Sequence, residues 1–406
     1  MLKRDGKSFQ RRLLLSTIFL AQMAVGIINY LPGAILPALA LHTSVSLGSI
    51  GWIFTGNALG TLLGSMLAGG LTKRLEAKHI LIIGLVLMGI STSIISWAPL
   101  FSVLFLAEFV QGLGFGLCNV GFNMVIMMAF RDSLSSTFNM LYSAFGIGAL
   151  LGPFLLSLVL AVLHEPLWAF LVSPALILLV VILLFKQSIS ADPSAQGQLP
   201  AASSETRVVL LQSGFWLAFL QIFLYVGAEL SFGNWIVTAV SQKAALPLAF
   251  AAPVATIFFL GLTCGRILSA QGLKKGRVQE RSLLYTCFVG GGLSILTVAV
   301  FPGYLWLSFS ATFLVGLCCG PVFPGLAALA SARFAKAQGL VSSMISVSSG
   351  VSGLIFPVLV GAVFTHAGIG WGLSVPALLI WAVLLPFSLA RTQQPKQDLF
   401  GRQKLS

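Results

Sequence analysis

Ten acidic side chains occur in this 406-residue chain, and two of them, Glu108 and Glu229, fall well inside long apolar runs. Of its 23 Lys and Arg residues, Arg266 has a comparable setting. An ionised group near the centre of a bilayer costs about 2.5–3.5 kcal/mol on insertion scales, so such residues face a protein interior or a watery path and point to a ligand or a proton. Polar residues recur around them at helical spacing. At 100° per residue, Gln111, Asn119 and Asn123 all lie within about 60° of Glu108, so the four share one face. Gln22 and Asn29, seven residues apart in another run, differ by about 20°. Gln221, Tyr225 and Glu229 form an i, i+4, i+8 stripe, with Trp235 about 120° around the same helix. Amides, a carboxylate and aromatic faces together suit a polyhydroxylated ligand: hydroxyls need donors and acceptors, and ring C–H faces stack on aromatics.

Other chemistries lack their residues. No GxxxxGK[ST] stretch is present to cradle nucleotide phosphates. His42, His79, His164 and His366 are scattered, without a Ser or Cys pattern resembling a nucleophilic triad, and no enzyme is expected. Cys118, Cys264, Cys287, Cys318 and Cys319 lie within apolar runs without metal-ligand spacing, and read as small packing residues with neither disulfide nor zinc. No metal and no cofactor are expected.

The elements that carry these residues are set by composition. Charged residues are 8% of the chain against about 25% in an average soluble domain. Hydrophobic residues are 57%, and the mean hydropathy is +1.00. Lipid must therefore be the solvent for most of the surface. Twelve stretches are long enough to span a bilayer as helices, near 13–38, 47–71, 79–98, 100–127, 135–163, 166–185, 215–239, 249–272, 282–301, 303–331, 337–365 and 371–390. They are unbroken rather than alternating, which excludes a β-barrel. The first is too long for a signal-peptide core and is expected to remain as helix 1.

Basic residues fix the expected orientation. Apart from Lys243 and Arg266, all Lys and Arg lie in the two ends or the even-numbered loops, which places both termini in the cytoplasm. The same sorting accounts for the net charge of +13 without nucleic acid. Residues 187–207, rich in Ser, Ala, Pro and Gln, read as a cytoplasmic linker between a six-helix bundle at 1–186 and another at 208–406. The bundles look duplicated. At an offset of 201, Gly60 and Gly64 align with Gly261 and Gly265; at 204, Gly112 and Gly116 align with Gly316 and Gly320, and Gly146 and Pro153 with Gly350 and Pro357. Repeated halves of this kind characterise secondary transporters. The Ser- and Gly-rich helix 11 reads as close helix packing.

Twelve helices as six plus six, a central linker and basic loops after helices 2 and 8 resemble the major facilitator superfamily over essentially the whole chain. "GGLTKRLEAKH" at 69–79 is similar to that family's loop 2–3 signature, with Lys73 where an Asp is usual and Glu76 where a Gly is usual. "YVGAELSFGNW" at 225–235, "GLGFGLCNVGFN" at 112–123 and "GPVFPGLAALA" at 320–330 resemble the fucose permease and sugar-symporter branch, although Asn119 stands where that branch can carry a Glu. The resemblance implies an all-α membrane fold of two pseudo-symmetric six-helix bundles whose helices 1, 4, 7 and 10 line a central cavity. It further implies symport of a sugar or similar small polar solute by alternating access in the cytoplasmic (inner) membrane; the buried Glu229 points to the proton as the coupling ion, with Na⁺ left open as an alternative. Gln22, Asn29, Glu108, Gln111, Asn119, Asn123, Gln221, Tyr225, Glu229 and Trp235 are the expected substrate contacts, Glu229 and Glu108 the proton-coupling acids, and Lys73, Arg74 and Arg266 the gating residues. The expected partners are a small-molecule substrate and the lipid bilayer, with the protein a monomer. A helix 5 pattern, Gly148-x-x-x-Gly152-Pro153, partly resembles the antiporter signature of drug exporters and keeps proton-driven export of lipophilic compounds as an alternative. A non-transporting receptor or scaffold is the alternative from another class.

Overall fold

A computed structural model describes residues 2–72, 74–130, 134–187, 208–301, 303–334 and 337–392. Lys73 and residues 188–207 of the expected linker lie outside the described residues. Twelve spans are long and apolar enough to cross a membrane. In chain order they are α1 (Gln10–His42), α2 (Leu47–Leu71), α3 (Ala77–Ile95), α4 (Phe101–Ala129), α5 (Met140–Leu163), α6 (Pro166–Lys186), α7 (Ser213–Lys243), α8 (Leu248–Lys274), α9 (Glu280–Val300), α10 (Leu305–Arg333), α11 (Leu340–Ala367) and α12 (Ile369–Ala390). No strand occurs among the described residues. The apolar runs locate every span, but α1 and α7 continue past them. In α1 the helix passes through Pro32 and Pro37, because most backbone bonds of a membrane helix survive the loss of single N–H donors. In α10 the regular helix is interrupted at Gly320 and Pro321 and resumes from Val322.

Within each half, glycines let pairs of spans approach to backbone contact. A Cβ added at Gly60 or Gly64 of α2 would overlap the carbonyl oxygens of Phe109 or Leu113 on α4. From the other side, Gly112 and Gly116 of α4 lie against the carbonyls of Asn57 and Thr61. The second half repeats this seam. Gly261 and Gly265 of α8 lie against Phe313 and Leu317 of α10, while Gly316 and Gly320 lie against Phe258 and Leu262. The glycine correspondence in the sequence is therefore a duplicated packing device. Lipid gives helices no hydrophobic reason to associate, so close van der Waals contact of this kind holds the bundles together.

The halves touch at the end away from the basic loops. Gly33 of α1 meets Asn234 of α7, Gly48 of α2 meets Thr365 of α11, and Gly51 lies against the ring of Trp235. Deeper in, Thr55 donates to Leu354 O at 2.8 Å and Thr256 to Leu150 O at 3.2 Å. Toward the basic end the facing surfaces become accessible, with Arg266 of α8 and Ser342, Ser343 and Ser346 of α11 exposed. This divides the Ser-rich stretch of α11: Ser348 and Ser352 are buried in helix packing as expected, Ser349 is half-buried, and Ser342, Ser343 and Ser346 are exposed. Charged and hydroxyl groups here fit a water-filled opening far better than lipid. The fold is an inverted funnel, closed at one end and open at the basic end.

The seams give a direct test of this packing. Gly112→Val should destabilise the protein by about 1–3 kcal/mol through overpacking against Asn57, read as a lower melting temperature in detergent. Gly69→Ala, where nothing lies within 4 Å of an added Cβ, should leave the melting temperature unchanged.

Candidate functional site

Where the closed end gives way to the opening, aromatic rings from both halves meet. Tyr30 of α1 lies 4.4 Å from Phe259 of α8 and 5.9 Å from Phe145 of α5, centroid to centroid. Phe115 of α4 stacks on Phe145 at 6.2 Å. These four rings form a floor across the interface. Tyr30, Phe115 and Phe145 are half-buried, so part of the floor is accessible.

Glu229 of α7 stands beside this floor, half-buried. Its electrostatic neighbours are Tyr225, one turn earlier on α7, and Arg266 of α8. Tyr225 is fully buried and donates its hydroxyl proton to Cys319 O of α10 at 2.7 Å. A tyrosine has one such proton, and here Cys319 O takes it. Arg266 favours the ionised form by simple attraction. No ion pair within 4.0 Å joins Arg266 to Glu229 among the described residues, so neither charge is locked by the other.

The other expected site residues divide between this opening and helix packing. Asn119 and Asn123 of α4 and Asn29 of α1 are half-buried, and the Asn29 amide donates to Val25 O of its own helix at 2.9 Å. Glu108 and Gln111 do not share the surroundings of Asn119 and Asn123, although all four lie on one face of α4. Glu108 is 1% exposed and accepts from the Asn57 amide of α2 at 3.1 Å, while Gln111 accepts from Thr92 of α3 at 3.4 Å. One face of α4 meets α2 and α3 near the closed end and the opening farther along. Gln22 is likewise buried, apart from Asn29.

On α7, Gln221 turns to α12, donating to Pro386 O at 3.0 Å. Trp235 donates its indole N–H to Pro357 O at 2.9 Å and lies 5.0 Å from the Phe364 ring, within the closed end. Arg74 lies on the loop after α2, exposed and away from the central group. The sequence reading missed Tyr30, Phe115, Phe145, Phe259 and Asn57. Tyr30 adjoins Asn29 and is one of only five tyrosines, which was a usable signal. The three Phe residues were hidden among 31.

A twelve-span duplicated fold, open at one end onto a mixed polar and aromatic centre, is the architecture of a secondary transporter. The Major Facilitator Superfamily model matches residues 18–309, and the chain belongs to that family. It is similar to sodium-dependent glucose transporter 1 of Xenopus laevis, 24% identical over 389 residues covering 88% of this chain and 78% of that protein. The glucose/mannose transporter GlcP of Bacillus subtilis (strain 168) is 25% identical over 367 residues, covering 88% and 87%. Among solved structures, a bacterial homologue of the human lysosomal transporter Spinster, inward-facing and occupied, superposes with a TM-score of 0.77 at 12% identity over 95% of this chain and 97% of that one. The family and these relatives are transporters, not enzymes.

The setting of Glu108 predicts a contrast between two variants. Glu108→Ala leaves the Asn57 amide without its carboxylate acceptor and should cost about 1–3 kcal/mol of stability. Glu108→Gln keeps an acceptor in place and should cost less, with thermal unfolding in detergent separating the two.

Proposed function

We propose that the protein is a proton-coupled symporter of a sugar or similar small polar solute, working as a monomer in the cytoplasmic membrane with both termini in the cytoplasm. The observation that carries this reading is Glu229, half-buried beside an accessible aromatic floor, with Tyr225 and Arg266 as its neighbours. A sugar presents hydroxyls to polar side chains and C–H faces to rings, and the amides of Asn29, Asn119 and Asn123 with the Tyr30 ring supply both. The relatives named as glucose and glucose/mannose transporters support the same substrate class. The 21 Lys and Arg at the ends and in the even-numbered loops support the orientation, because basic loops are retained on the cytoplasmic side.

Proton coupling follows from the carboxyl's two states. Protonated, Glu229 adds no charge to the centre, so the loaded site can be enclosed. Ionised, it is drawn toward Arg266 on the side of the opening, where the proton leaves to water. Closing the opening and parting the opposite end returns the site to the other side of the membrane.

The test uses the protein reconstituted in liposomes with an internal pH-sensitive dye and an external sugar panel, with and without a Na⁺ gradient. Sugar addition should acidify the lumen without Na⁺. In Glu229→Gln this flux should fall to the level of empty liposomes. Flux unchanged in Glu229→Gln, or sugar uptake that follows Na⁺ without proton movement, would contradict the proposal.

A further inference from the structure

Arg266 is an addition that the packing of its helix does not require. In the duplicated seams, Gly116 of α4 lies against the backbone of Thr61 and Ser65, and Gly320 of α10 lies against that of Leu262 and Arg266. Arg266 therefore occupies the position that Ser65 holds in the first half, where a small residue completes the same contact. The second half places a guanidinium there, inside a span, at the cost that a membrane imposes on charge.

That guanidinium lies within electrostatic reach of Tyr30 on α1, Glu229 and Tyr225 on α7, and Cys319 on α10, a set that surrounds the centre. On its own helix it follows Phe259 by seven residues, about 20° away around the axis, so ring and guanidinium share one face. It is exposed to the opening, and no carboxylate pairs with it within 4.0 Å among the described residues. A planar guanidinium near an aromatic floor offers a carboxylate two parallel hydrogen bonds.

We propose, building on the sugar-site reading above, that the preferred substrate is a sugar acid: its ring lies on the half-buried Tyr30, and its carboxylate is held by Arg266. Such a ligand meets Glu229 across the same opening, so it enters while Glu229 carries its proton. The groups facing that carboxyl, Tyr225 and Arg266, and the nearby Tyr30 and Cys319 hold no further negative charge at neutral pH. Entry of the anion is thereby tied to entry of a proton.

Equilibrium binding to the full chain in liposomes tests this with glucuronate, its methyl ester and glucose as probes. Glucuronate should bind about 10- to 100-fold more tightly than glucose, the range expected of a charge-assisted pair. The methyl ester, with the same ring and no charge, should bind like glucose. In Arg266→Gln the advantage of glucuronate over glucose should vanish, and Arg266→Lys should restore part of it. Glucuronate binding no better than glucose or the ester in the unmodified protein would overturn the sugar-acid assignment and leave the sugar-transporter reading intact. Failure of all three probes to bind would overturn both.

Discussion

Charge within a lipid bilayer is expensive, and nearly everything in this molecule follows from where that expense is accepted. With 8% charged residues, the chain keeps its Lys and Arg almost wholly at its ends and in its even-numbered loops. Three charged side chains lie away from the span ends, and each has a distinct solution. Glu108 is enclosed within the first bundle and held by the Asn57 amide. Glu229 and Arg266 sit at the junction of the two bundles, where the opening brings water within reach. The fold's polar interior is consequently small and central, and the opening leads to it from one end only.

Packing makes that arrangement possible. Glycine seams between α2 and α4 and between α8 and α10 make each bundle a body whose helices cannot slide freely past one another. In the proposed cycle motion is concentrated where the two bundles meet, at contacts such as Thr55 with Leu354 and Tyr30 with Phe259. Contacts of this sort can be remade at the opposite end without disturbing the seams. The duplication also shows what is not duplicated: Arg266 replaces the serine of the first half, and Glu229 at an offset of 201 corresponds to Ile28. The asymmetry between the halves falls at the functional centre.

Much of this was legible in the sequence, for physical reasons. Bilayer thickness sets span length, so twelve apolar runs located twelve spans; the offsets of Gly60 to Gly261 and Gly112 to Gly316 located the duplicated seams. Helix faces were harder to read. Glu108 and Asn119 are close in angle, yet one meets α2 and the other lies near the opening, because crossing helices change a helix's neighbours with depth. Gln221 and Trp235 likewise meet α12 and α11, whose carbonyls at Pro386 and Pro357 take their hydrogens. The aromatic floor was not legible, since a ring that lines a site and a ring that packs a core have the same composition signal.

The central claim is that two rigid bundles rock about Glu229 and the aromatic floor, exchanging the closed end for the open one. Spin labels on the two halves, at Met127 and Ser346 near the basic end and at Leu41 and Phe250 near the opposite end, report this directly by double electron–electron resonance in a background free of native cysteines. Saturating substrate should shorten the first distance and lengthen the second together. Both distances changing in the same direction, or neither changing under substrate that demonstrably binds, would contradict the account.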